Sequence, residues 1–166
     1  IFNEERASWR LAQRTTLHEF VDFLVGKTAL RPITLAFPQQ NVSGYTWGEV
    51  PLLEALLGLV KDSYYSHYTA VRIHGLTEQV PKTVYLSHEK RRGETRPKEA
   101  PPLYSQEKID EAFQKQPRTS SNQVELEEHG VRVMLLEAAY QAGLGISSGE
   151  VNFGGDRPLR LRYTTL

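Results

Sequence analysis

Cysteine is absent from the chain, which excludes disulfides, thiolate metal sites and cysteine nucleophiles. An excess of one charge is lacking as well. Twenty basic residues face twenty acidic ones, so any attraction to a polyanion has to come from local patches. No apolar run approaches the roughly 18 residues that span a bilayer, and no signal-peptide core opens the sequence. These absences lead to an expected cytoplasmic location with no membrane partner. Internal repeats and low-complexity tracts are missing, as are a G-x-x-x-x-G-K-[ST] phosphate loop and an H-E-x-x-H metal motif.

What is present has the composition of an ordinary globular protein. With 39% hydrophobic and 24% charged residues over 166 positions, bulk disorder is excluded and a self-supporting core is feasible. The chain opens on Ile1 and stops at Tyr163-Thr164-Thr165-Leu166, directly after a strand pattern. It therefore reads as a fragment of a longer protein.

Helix and strand patterns alternate along the chain. Arg6, Arg10 and Arg14 recur every four residues and predict a basic stripe on a helix over 4–14, either a solvated face or a phosphate contact. Thr16-Leu17-His18-Glu19 is a capping box, followed by Leu17, Phe20, Val21 and Leu24 at helical spacing and Gly26 as the stop. Strands are expected at Ile33–Phe37 and Tyr45–Trp47. Pro51 opens an apolar helix, expected to be the central buried one, that runs to Val60. Ser66 caps a short helix that Gly75 ends, and a strand follows at Thr83–Leu86. A charged loop is expected over 87–102 and a helix over 105–115. Two further strands flank His129-Gly130 in a hairpin. A glycine-rich stretch, 143–155, leads into a last strand at Leu159–Tyr163. The pattern predicts an α+β fold: a small mixed sheet with several packed helices, and an N-terminal part that is mainly helical plus a hairpin. Residues 1–62 form the helix-hairpin-helix segment, a candidate degenerate winged helix, and residues 63–166 form the second unit.

Literal motif matches for catalysis fail on mechanics. Gly145-Ile146-Ser147-Ser148-Gly149 spells G-x-S-x-G, but a nucleophile elbow needs a helix after it and a later histidine, whereas the last histidine is His129. His67 and His74, seven residues apart on one helix, stand about 10 Å apart, too far to chelate one ion easily. No paired carboxylates stand out as general acid and base. The reading is a protein that works by binding, with no cofactor and no metal.

The distinctive stretch runs from Ser66 to Leu86, S-H-Y-T-A-V-R-I-H-G-L-T-E-Q-V-P-K-T-V-Y-L. It resembles the signature of AbiEi-type antitoxins of type IV toxin–antitoxin systems, in which S-x-x-(T/S)-A-x-x-x-H-G-L-T-(D/E)-Q-(V/I)-P-x-x-(V/I)-Y opens the C-terminal domain. The resemblance covers about half of the chain and continues more loosely through Glu128–Leu136 and Arg160–Leu166. It implies a cytoplasmic bacterial regulator linked to phage defence, which binds double-stranded DNA to control transcription and neutralises a toxin protein. Residues 1–62 depart from the family's winged helix-turn-helix, because three closely spaced helices are not evident.

Candidate residues follow from charge and chain geometry. Lys82, Lys90, Arg91, Arg92, Arg96 and Lys98, set against Glu89 and Glu94, give segment 82–98 a local charge of +4. Arg160 and Arg162, two apart in a strand, point to one face. Lys90, Arg91, Arg92, Arg96, Arg160 and Arg162, with Arg10 and Arg14, are the expected phosphate contacts. Within the signature, Gly75 supplies a left-handed backbone, Pro81 a rigid turn, and His74 and Gln79 hydrogen bonds that hold the turn. Two rival functions are a protein-interaction scaffold without DNA binding and part of a defence enzyme, a nuclease or a nucleotidyltransferase.

Overall fold

The computed structural model of the protein describes residues 2–90, 105–115 and 120–165, and at Ala112 the backbone alone. The fold is α+β. In chain order the elements are α1 (Phe2–Glu5), α2 (Leu17–Lys27), β1 (Leu30–Ala36), β2 (Asn41–Trp47), α3 (Leu52–Leu59), β3 (Tyr64–Tyr65), α4 (His67–Ile73), β4 (Thr83–Glu89), α5 (Gln106–Gln114), β5 (Gln123–Leu126), β6 (Val131–Ala138), β7 (Ile146–Val151) and β8 (Leu159–Thr164). β1 and β2 form an antiparallel hairpin. The other six strands form one mixed sheet in the order β5-β6-β4-β3-β8-β7.

Alternation along the strands decides which face is buried. Val84 and Leu86 of β4 sit beside Val133 and Leu135 of β6 and point to the same side as Tyr65 and Leu161. Leu35 and Phe37 from the hairpin and Leu56 from α3 close over that side, so the core draws on residues both before and after position 62. Each fully buried side chain of this size contributes roughly 1.5–3 kcal/mol. Tyr65 is fully buried and its phenol donates a hydrogen bond to the Leu53 carbonyl at 2.5 Å, which ties β3 to α3. Burial pushes that phenol well above its ordinary pKa.

The capping box forms as expected. The Glu19 N–H donates to Thr16 Oγ1 at 3.2 Å, and the Thr16 N–H donates to the Glu19 carboxylate at 2.8 Å. Gly26 does not end α2. The helix runs on to Lys27 and stops at Thr28, whose N–H and hydroxyl both donate to the Leu24 carbonyl.

The helix expected over 4–14 does not form. Helix α1 ends at Glu5, and Arg10 takes a left-handed backbone with φ of 55°. Two interactions favour the turned path. The Phe2, Trp9 and Phe20 rings cluster with centroids 5.5–6.3 Å apart. The Arg6 guanidinium, stacked 5.1 Å from the Phe2 ring centroid, donates to the Gln13 carbonyl. Arg6, Arg10 and Arg14 therefore share no helical face.

Pairing in the sheet adds one element and corrects two expectations. Tyr64 and Tyr65, between the two expected helices, form β3. Residues 87–89, read as loop, continue β4, paired in parallel with Leu136–Ala138 of β6. The glycine-rich stretch contains a strand, β7, antiparallel to β8, and a Cβ at Gly149 would lie 2.9 Å from the Tyr163 hydroxyl, so a side chain there requires Tyr163 to shift. Helix α3 buries only Ala55 and Leu56 fully, because it sits between the hairpin and β8 rather than at the centre. The turn at His129-Gly130 forms as expected, with Gly130 at φ of 62°.

Candidate functional site

The cleft that brings Lys90 and Arg162 together is created by the shortness of one strand. β3 has two residues and lies between β4 and β8. Extending its register, Asp62 would face Glu89 on one side and Arg160 on the other. The chain instead turns at Asp62, which has φ of 59°. Beyond Tyr64, β4 and β8 therefore flank a gap two strand spacings wide, roughly 10 Å. Asp62, Glu89, Lys90, Tyr140, Gly143 and Arg162 are among the residues lining the resulting cleft of about 260 Å³.

Chain alternation sets the side chains. Arg160 and Arg162 lie on the face of β8 opposite the buried Leu161, as the sequence predicts, with Arg160 exposed and Arg162 half-buried. Tyr64, Ser87 and Glu89 share that face, since Tyr64 sits beside Ser87 while Tyr65 and Leu86 point to the core. Lys90 follows β4 directly, and its N–H donates to the Ala138 carbonyl.

The charges in the cleft are balanced, Asp62 and Glu89 against Lys90 and Arg162, and Glu89 is held by a backbone donor. Glu89 accepts the Gly143 N–H at 3.1 Å through one oxygen and 3.3 Å through the other. This holds a loop whose Ala142, Gly143 and Gly145 all have positive φ. Lys90 Nζ lies 2.9 Å from the Glu137 carboxylate in an ion pair that is more than half exposed on both sides. Burial and the neighbouring Glu89 carboxylate raise the Tyr64 phenol above its ordinary pKa, and Arg162 acts in the opposite direction. Arg160 is aligned with Glu150 on β7, and its backbone N–H donates to Glu54 at 3.0 Å.

Among the signature residues, His74 reaches the strand that carries Arg160 and Arg162, while the others shape the turn after α4. Gly75 is left-handed, with φ of 71°, as expected. Gln79 holds the turn as expected: its amide oxygen accepts the Tyr68 hydroxyl at 3.0 Å and its N–H donates to Thr77 Oγ1. Pro81 lines a small apolar pocket with Ile73 and Val84. His74 has a different role from the one expected. Its Nε2 donates to the Thr164 carbonyl of β8 at 2.7 Å, and its ring meets Tyr163 edge-on at 5.1 Å. It locks α4 to the strand that carries Arg160 and Arg162, rather than bracing the turn.

Of the expected contacts, the structure brings together Lys90 and Arg162, with Arg160 two residues away on the same face. Arg10 and Arg14 lie in the N-terminal turns and do not line this cleft. Arg91, Arg92 and Arg96 lie outside the described residues. Sequence reasoning missed Asp62, Tyr140 and Gly143 and read Glu89 only as a counter-charge. The available signal was the strand pattern of Thr83–Leu86 continuing through Ser87, His88 and Glu89.

Among the described residues, no three His, Asp or Glu side chains are grouped to hold a metal ion, and no helix is long and apolar enough to cross a membrane. Ser147, the serine of the G-x-S-x-G string, lies within strand β7 rather than on a strand-to-helix turn. No family model matches the chain, and no curated protein or solved structure matches it.

Proposed function

We propose that this chain is a regulatory binding module, antitoxin-like in the sense of the Ser66–Leu86 resemblance, that contacts double-stranded DNA through the cleft lined by Lys90 and Arg162, with Arg160 beside it on β8. The observation that carries the reading is the convergence of two basic segments, distant in sequence, on one cleft. Lys90 leads directly into Arg91 and Arg92, so the cleft also stands at the origin of the most basic stretch of the chain.

Energetics favour exchange of partners at this site. An exposed ion pair such as Lys90–Glu137 is worth only about 0–1 kcal/mol, so a phosphate can displace the carboxylate cheaply. Glu89 is turned onto the Gly143 N–H, away from an ion pair with Lys90 or Arg162 among the described contacts. Tyr140, about half exposed at the rim, offers an aromatic face.

Lys90→Gln together with Arg162→Ala tests the reading by anisotropy titration against a labelled duplex at 50 mM salt. The expected outcome is a loss of about tenfold or more in affinity at unchanged thermal stability. Equal affinity of the double variant and the parent would reject this face. A toxin-like protein partner, as the resemblance implies, is tested separately by co-purification with the product of the adjacent gene.

A further inference from the structure

The hairpin presents an edge that two copies of this chain can share. The Gly48 N–H donates to the Ala29 carbonyl at 2.7 Å, so the pair 29–48 is a hydrogen-bonded one. Hydrogen-bonded and non-bonded pairs alternate along an antiparallel ladder. In the observed register the backbone groups of Asn41, Ser43, Tyr45 and Trp47 therefore point away from β1. Pro32, which has no N–H, falls at a non-bonded position opposite Tyr45, as this assignment requires. Among the described residues nothing pairs with that outward edge.

Edge strands of natural proteins are usually protected by charge, proline or cover. β2, N-V-S-G-Y-T-W, carries no charge and no proline, and Tyr45 and Trp47 on its outer face are 55% and 63% exposed. The sequence is also complementary to itself. A two-fold axis through Gly44 sets Tyr45 against Ser43 of the other copy and Trp47 against Asn41, a large side chain against a small one at each outer position. The same register pairs every outward N–H and C=O, giving about eight new backbone hydrogen bonds. On the inner face Val42 meets Thr46, and at the axis glycine meets glycine. The half-buried Leu59 side chain, packed under Gly44, then gains cover from its counterpart.

We infer that the chain self-associates through antiparallel β2–β2 pairing centred on Gly44, so that the two hairpins form one four-stranded sheet. Tyr45 and Trp47 expose on the order of 250 Å² of aromatic surface per copy, from typical side-chain areas. That is well below the roughly 800 Å² per partner of a standard interface, so a concentration-dependent dimer with micromolar or weaker affinity is expected.

The absence of cysteine makes the register directly testable. Cα atoms of a directly opposed hydrogen-bonded pair lie about 5.5 Å apart, within disulfide reach. Ser43→Cys and Tyr45→Cys are prepared as separate proteins and oxidised alone and as a mixture at 100 µM. A cross-linked heterodimer enriched at least fivefold in the mixture over either protein alone is the expected result. Equal cross-linking in all three samples, or none in the mixture, would overturn the register. Sedimentation equilibrium of the parent chain and of Tyr45→Lys provides the second arm, with circular dichroism confirming the fold. A rise in mass from 18.9 kDa toward twice that value, abolished in Tyr45→Lys, is expected. A parent chain that stays monomeric up to 500 µM would refute self-association outright.

Discussion

Glu54 is the residue on which the C-terminal strand depends most visibly. Arg157 donates to its carboxylate at 3.0 Å, and the backbone N–H of Arg160 adds a second donor. The Arg157 side chain, and then that N–H, hold the Glu54 carboxyl below its ordinary range. A carboxylate with a depressed folded-state pKa stabilises the fold above its unfolded value, and the contribution is lost as pH falls through the folded value. Glu54→Gln is therefore expected to lower the thermal midpoint at pH 7 by about 2–4 °C, the equivalent of about 1 kcal/mol. The difference from the parent should shrink steadily below pH 4.5 and vanish in stronger acid, as followed by calorimetry across the pH range. Gly75 makes a second case. A Cβ there would meet nothing within 4 Å, so only its backbone conformation, with φ of 71°, resists substitution. Gly75→Ala is expected to cost about 1 kcal/mol by chemical denaturation, with the slope unchanged. At this scale the sequence was informative wherever a residue acts through its own backbone, as Gly75 and Thr16 do. It was silent where a side chain acts across the fold. His74 bonds Thr164, ninety residues away, and local spacing carries no trace of that contact.

Among the elements, α4 and β8 form the joint that positions the basic face. His74 fastens the end of the signature helix to the last strand through one hydrogen bond and one edge-on ring contact. His74→Ala is expected to destabilise the protein by about 1–2 kcal/mol, since the part-buried Thr164 carbonyl loses a donor and Tyr163 loses a neighbour. Amide exchange should accelerate selectively in β7 and β8; uniform acceleration across all strands would argue against a local joint. The missed elements have a common physical cause. β3, β7 and the end of β4 are short or glycine-bearing segments whose strand character comes from their neighbours rather than from an alternating pattern of their own. The predicted N-terminal helix failed for the complementary reason. Arginine every fourth residue fits a helix, but clustering of Phe2, Trp9 and Phe20 and the reach of Arg6 to Gln13 favour a turned path instead.

At the scale of the molecule, the α+β class and most elements were legible, because hydrophobic periodicity and caps are local properties. The cleft was legible in part. The sequence supplied Lys90, Arg160 and Arg162, while their meeting depends on strand order and on β3 ending after two residues, which only the assembled sheet reveals. The carboxylates around them give a site of limited charge, and this bounds what binding can look like. Two or three phosphate contacts predict a slope of about −2 to −3 in a plot of log affinity against log salt. The most direct measurement is that slope, determined against duplex DNA for the parent chain and for Arg160→Ala combined with Arg162→Ala. The account predicts micromolar binding at 50 mM salt that weakens with this slope, and a slope shallower by about two in the double variant. Affinity that is independent of salt, or a slope identical in the two proteins, would contradict it.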